Sequence, residues 1–216
     1  MEEIIRNISI WALPVVLAVV LHEVAHGWVA DRLGDDTARW MGRLTLNPLK
    51  HIDPLGTVVV PLLLLVVGSP FIFGYAKPVP INFSKLRRPK QDMVWVALAG
   101  PLTNLLLALI SAAVLMLAVH TYAVLPWVAE PLALMAQASI LINLVLFIFN
   151  LIPLPPLDGG RVAVGLLPRG MAYQLSRIEP VGFVIIIVLL MMGWLQLVIG
   201  PVVLGGADIL VRWATL

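Results

Sequence analysis

Between Asp92 and Glu130 the chain carries no Asp, Glu, Lys or Arg, and none again between Glu130 and Asp158. Each gap exceeds the roughly 20 apolar residues that take a helix across a bilayer core. A hydrocarbon interior offers the backbone no water, so a crossing segment must bond its amides within itself, as a helix does. Three further apolar stretches, at about 8–30, 54–75 and 181–200, join 93–119 and 131–152 as candidate spans. Composition agrees: 61% of the 216 residues are hydrophobic and 12% charged, against about 25% charged in a soluble domain. The expected fold is an all-α polytopic membrane protein with about four to six transmembrane helices, residues 1–216 forming one membrane-embedded domain. There is no cysteine, so a metal site must use His, Asp or Glu.

Twelve of the fourteen Lys and Arg lie in three loops, at 32–50, 77–90 and 161–177, and the loop at 120–130 has none. A net charge of +2 placed in this way describes membrane topology rather than a nucleic-acid surface. Basic loops stay cytoplasmic, so all three share that side, with 120–130 opposite. That parity holds only if 54–75 fails to cross fully. Its Pro54, Gly56, Pro61, Gly68, Ser69 and Pro70 suit a re-entrant segment packed on protein. The stretches 38–52 and 74–83 alternate loosely or are extended by proline, and are expected as short strands at the membrane surface.

The first span holds His22-Glu23-Val24-Ala25-His26. Residues four apart on a helix lie above one another, so both imidazoles point the same way. Two nitrogen donors on one face, with a carboxylate beside them to take a proton from water, is the arrangement of zinc hydrolases. The alternative is interhelical hydrogen bonding. A charge at the bilayer centre costs at least ~2.5–3.5 kcal/mol, so three ionisable residues within five call for a common purpose. Zinc, one ion per chain, meets it.

A zinc hydrolase needs a third protein ligand and an open fourth position. His51 reads as a solvated or structural loop residue and His120 as an interfacial one. Glu130 and Asp208 sit near span ends without a supporting pattern. Asp158 closes the long uncharged run in Asn150-Leu151-Ile152-Pro153-Leu154-Pro155-Pro156-Leu157-Asp158-Gly159-Gly160. Capping a helix that begins near Gly159 is one role for it; ligation is the other. With the parity above, the first and fourth spans both run toward the basic side, which lets His22 and Asp158 meet at one depth.

Together these residues resemble the site-2 protease family of intramembrane zinc metalloproteases. The resemblance rests on His22–His26, on Asn150–Gly160, and on Gly100-Pro101-Leu102-Thr103-Asn104 between them, and covers roughly residues 15–165. It implies a three-helix catalytic core, zinc held by His22, His26 and Asp158, Glu23 as general base, and Asn150 beside the metal assisting substrate or oxyanion. It also implies a compact form without a PDZ domain. Its substrates would be transmembrane proteins or peptides, cleaved in or near their spans in regulated intramembrane proteolysis. The expected setting is a multi-pass protein of a prokaryotic inner membrane. Extended segments near the site pair with unwound substrate in the family, a role that 74–80 can fill here. The rival reading is a transporter or channel in which the His/Glu/Asp cluster handles metal ions or protons.

Overall fold

The computed structural model of the protein describes residues 1–59, 62, 63, 66 and 74–216. Three long helices answer three of the expected spans: α1 (Glu2–Arg32), α3 (Pro89–Thr121) and α4 (Pro126–Asn150). Between them and after them come α2 (Thr37–Trp40), α5 (Asp158–Leu166), α6 (Arg169–Ser176), α7 (Glu179–Met191) and α8 (Trp194–Thr215). Four helices are long and apolar enough to cross a membrane: α1, α3, α4 and, over Gln196–Thr215, α8. The pair α6 and α7, bent by 61° at its break, makes a fifth if it counts as one span. The all-α polytopic architecture therefore stands.

Two local expectations are corrected. The last span was placed at 181–200, but Gly193 adopts φ 73 and separates α7 from α8. Glycine alone takes that left-handed conformation without a Cβ penalty. The helix then continues to Thr215 through Asp208 and Arg212, which look in the sequence like the end of a membrane segment and pair one turn apart at 2.9 Å. The second correction concerns strands: none occurs among the described residues. Residues 37–40 are α2, 48–50 form a short 3-10 turn capped by Asn47, and Gly42 at φ 63 interrupts the alternation. Residues 74–82 are extended but pair with no strand; Pro78 and Pro80 lack the N–H that a ladder needs.

The three basic loops meet at one end of the bundle. Arg87 N donates to Leu33 O at 3.0 Å, Lys85 Nζ lies 3.2 Å from Asp36, and Lys90 Nζ donates to Leu167 O. The segment after Asp53 starts and ends at this same end. Tyr75 N donates to Gly56 O at 3.1 Å, and Thr57 Oγ1 donates to Tyr75 O at 2.9 Å. Between these contacts runs the segment expected to re-enter. Its path through Pro61, Gly68, Ser69, Pro70 and Phe73 lies outside the described residues.

Helix α3 is the axis of the bundle. It runs antiparallel to α1, with Asn104 beside Ala18, Gly100 beside His22 and Val96 beside His26. It also runs antiparallel to α4, pairing Asn104 with Asn143 and Ser111 with Ser139. Away from the basic end the core consists of Ala108, Ala112 and Leu115 of α3, Ala136, Ile140 and Leu144 of α4, and Val203 and Ala214 of α8. Lipid is as apolar as these side chains, so close packing of small residues, rather than escape from water, holds such helices together.

Candidate metal centre

Helix α1 puts His22 and His26 on one face, and α5 begins where the proline-rich turn after α4 delivers Asp158 to them. The two Nε2 atoms lie 3.0 Å apart, and Asp158 Oδ2 is 3.2 Å from one and 3.3 Å from the other. All three side chains are buried. A tetrahedral ion with ligand bonds of about 2.0 Å sets its donors roughly 3.3 Å apart, so the triangle has the size of a zinc face. Asp158 makes no capping bond at the start of α5, and its Oδ2 has no hydrogen-bond donor among the described residues. The capping alternative is thereby set aside.

Hydrogen bonds behind the imidazoles decide what faces that triangle. His26 Nδ1 lies 2.7 Å from Val96 O, a carbonyl that can only accept, so Nδ1 carries the proton. His22 Nδ1 lies 2.5 Å from Asn104 Oδ1. The amide orientation of Asn104 is fixed by its Nδ2, which donates to Ala18 O at 3.2 Å and to Asn143 Oδ1 at 2.9 Å. His22 Nδ1 is therefore also the N–H. In the neutral rings both Nε2 atoms then bear lone pairs, aimed at each other and at a carboxylate oxygen. Three acceptors converge with no proton between them, an arrangement that a cation stabilises. Orienting partners of this kind are what metal-bound histidines characteristically have.

Glycine completes the cradle. A Cβ built on Gly100 would overlap His26 Nε2 and lie 2.6 Å from both Nε2 and Cε1 of His22. On Gly159 and Gly160 it would strike the backbone of Leu151 and of Leu154–Pro155. These glycines let α3 and the 151–157 turn close on the site.

Glu23, half-buried one residue after His22, accepts from Val79 N through Oε2 at 2.8 Å. Asn150 is placed differently from the triad: its Nδ2 donates to Leu146 O of its own helix at 3.0 Å, and it makes no hydrogen bond to His22, His26 or Asp158. His51 is buried rather than solvated, with Nε2 against Thr45 O at 2.9 Å. His120 is exposed at the far end of α3, bonded to Met116 O. Sequence reasoning missed Asn143, which fixes Asn104 and is itself held by Ser139. The signal was available: an amide inside a largely apolar span costs free energy unless it is bonded.

Fold and donor set define a polytopic membrane protein with a buried two-histidine, one-aspartate group that can hold a metal ion. A family model for peptidase family M50 matches residues 10–133 and 126–193. The chain belongs to that family, in agreement with its resemblance to site-2 proteases. A Bacillus subtilis (strain 168) protein named "Putative zinc metalloprotease YwhC" is 41% identical over 202 residues, 93% of this chain and 88% of that one. Proteins from Mycolicibacterium smegmatis and Mycobacterium tuberculosis (strain ATCC 35801 / TMC 107 / Erdman), both named "Putative zinc metalloprotease Rip2", are 30% and 34% identical. Those alignments take in 81% and 66% of this chain, and 63% and 51% of the relatives. No solved structure matches the chain at a significant level.

Proposed function

We propose that this chain is an intramembrane zinc metalloprotease, a single catalytic domain over residues 1–216 that hydrolyses peptide bonds in or near the transmembrane segments of membrane proteins. His22, His26 and Asp158 hold the ion, Glu23 is the general base, and Asn150 assists at the substrate carbonyl once its amide leaves Leu146 O. The observation that carries this reading is the convergence of three buried acceptors, each imidazole fixed in the tautomer that frees Nε2. A transporter needs buried polar groups too, but it does not need a carboxylate one residue after the first of two histidines four apart. Glu23 Oε1 has no partner among the described residues.

Bound there, zinc supplies Lewis acidity, lowering the pKa of water toward about 7 and polarising the scissile carbonyl. The remaining steps belong to the chain. Glu23 takes the proton as the water oxygen bonds to the carbonyl carbon, then passes it to the amine nitrogen as the C–N bond breaks. A helical substrate hides its amides, so it must unwind locally before it can be cut. The extended residues 74–80 are a candidate edge for the unwound strand. Replacing that segment without loss of cleavage would sink the idea. The basic end, on the positive-inside rule, faces the cytoplasm. In a bacterial cell the protein would thus be a multi-pass inner-membrane enzyme with the site opening toward the cytoplasmic side.

The decisive measurement is zinc content of purified wild type, Asp158→Ala and Glu23→Gln, with cleavage of a single-span substrate followed in parallel. One zinc per chain, lost in Asp158→Ala but kept in an inactive Glu23→Gln, is the expected result. Zinc unaffected by Asp158→Ala would remove the proposed third ligand. A cleaving Glu23→Gln would remove the proposed base.

A further inference from the structure

The segment Lys77-Pro78-Val79-Pro80 crosses the face of α1 beside Glu23 in a way that its prolines dictate. Proline has no N–H, so between Lys77 and Ile81 the chain offers a single amide donor, that of Val79. That donor is given to Glu23 Oε2 at 2.8 Å. The Val79 side chain is buried in a notch opposite Gly27, the residue after His26. A Cβ on Gly27 would lie 2.7 Å from Val79 Cγ1 and 2.6 Å from Leu44 Cδ2. Sequence and packing thus bring one backbone N–H against the carboxylate in the metal-binding helix.

The segment is held from its other side as well. Lys77 N donates to His51 O at 2.9 Å, and Arg43 Nη2 donates to Lys77 O at 2.9 Å and to Pro78 O at 3.3 Å. Arg43 is buried, has no carboxylate partner among the described residues, and leaves its Nε without an acceptor. A buried cation without a counter-ion is costly. Its Nη2 alone is committed to the two carbonyls that precede the Val79 amide, those of Lys77 and Pro78.

We infer that Val79 N–H is a positioning donor for Glu23, and that Arg43 acts through it by fixing the Lys77–Val79 backbone. The inference rests on the protease reading above and goes beyond it by naming what aims the base. Glu23 has a flexible side chain, and a proton-transfer group displaced by about 1 Å can lose on the order of 100-fold in rate. One oxygen tethered to a fixed amide leaves the other, Oε1, in a set place for water. The same contacts restrict how 74–80 can meet a substrate. The N–H groups of Tyr75, Lys77 and Val79 are all engaged inside the protein, which leaves those of Gly74 and Ala76 without a partner among the described residues.

The test uses the full chain in lipid. Val79 is replaced by its α-hydroxy acid, which turns the amide into an ester and removes the N–H while keeping every side chain. Arg43→Ala and Arg43→Lys are made alongside. The readouts are kcat and KM on a single-span substrate, zinc bound per chain under chelator competition, and the infrared carboxylate band assigned to Glu23 by difference against Glu23→Gln. The expected result is a fall in kcat of about 10- to 100-fold for the ester and for Arg43→Ala, with KM and zinc unchanged, a shifted Glu23 band, and partial recovery in Arg43→Lys. If Arg43→Ala fails to fold, the ester variant decides alone. An unchanged kcat in the ester overturns the inference, as does zinc loss in parallel with activity. A raised kcat overturns it too, since the contact would then be a latch. A wild type that cleaves nothing overturns the protease reading, and a band shift in that protein would be a hydrogen bond without catalytic consequence.

Discussion

The two halves of helix α3 are built on opposite principles. From Val96 to Asn104 it meets α1 and α4 through hydrogen bonds and a glycine, with Asn104 wholly enclosed. From Ala108 to Ala118 it meets α4 and α8 mainly through alanine and leucine, with the Ser111–Ser139 pair at the border. The first half carries most of the groups that would be costly to bury unbonded; the second has the Ser111 hydroxyl, bonded to Leu107 O and Ser139. The first half shows what the proposed metal centre asks of a membrane helix: each imidazole needs a fixed acceptor behind it, and an amide in that role needs acceptors of its own for its N–H groups. The second half shows that association alone requires little beyond small side chains.

Substitutions along this one helix test the contrast. The largest effect is expected from Gly100→Ala, whose methyl group falls on both imidazoles; zinc should no longer co-purify, as metal analysis will show. A protein that keeps its zinc would mean that α3 can withdraw, and that the close approach is not required. Next comes Asn104→Leu, which removes the acceptor behind His22. Loss of such a partner typically weakens metal binding by about 10- to 100-fold, measurable by chelator competition. Ala112→Leu, in the apolar half, overfills the α3–α4–α8 contact. It should cost about 1–3 kcal/mol of stability while zinc affinity stays at the wild-type value. Zinc loss there would erase the distinction between the halves.

The smallest effect lies outside both halves, at Asp36 on the basic rim. The Trp40 indole N–H at 2.7 Å and Lys85 Nζ at 3.2 Å hold its carboxyl below the ordinary value of 3.8. A depressed folded-state pKa stabilises the protein above the unfolded value and is lost as pH falls through the folded one. Asp36→Asn should therefore flatten the acid limb of a thermal-stability profile slightly, with no change near neutral pH beyond the lost contacts.

The sequence made the polar half easier to read than its supports. His22 and His26 share a helix face by spacing alone, and Asp158 ends an uncharged run, so the triad was visible as residue types in a pattern. Gly100 and Asn104 were visible only through the resemblance, since a small residue and an amide in a helix serve many purposes. Asn143 was missed because its partner stands 39 residues away on another helix. The end of the last span was misplaced because a charged pair inside a helix looks, in one dimension, like a boundary. The surface strands were expected from alternation, which says nothing about whether a neighbouring strand is there to pair with.

The contact between Thr57 and Tyr75 joins residues 18 apart in the chain. It brings the two ends of the excursion between them together. Closing a loop costs only about 0.6 kcal/mol more for each doubling of its length. Lengthening or shortening the excursion should therefore leave Glu23 and its ligand helix where they are.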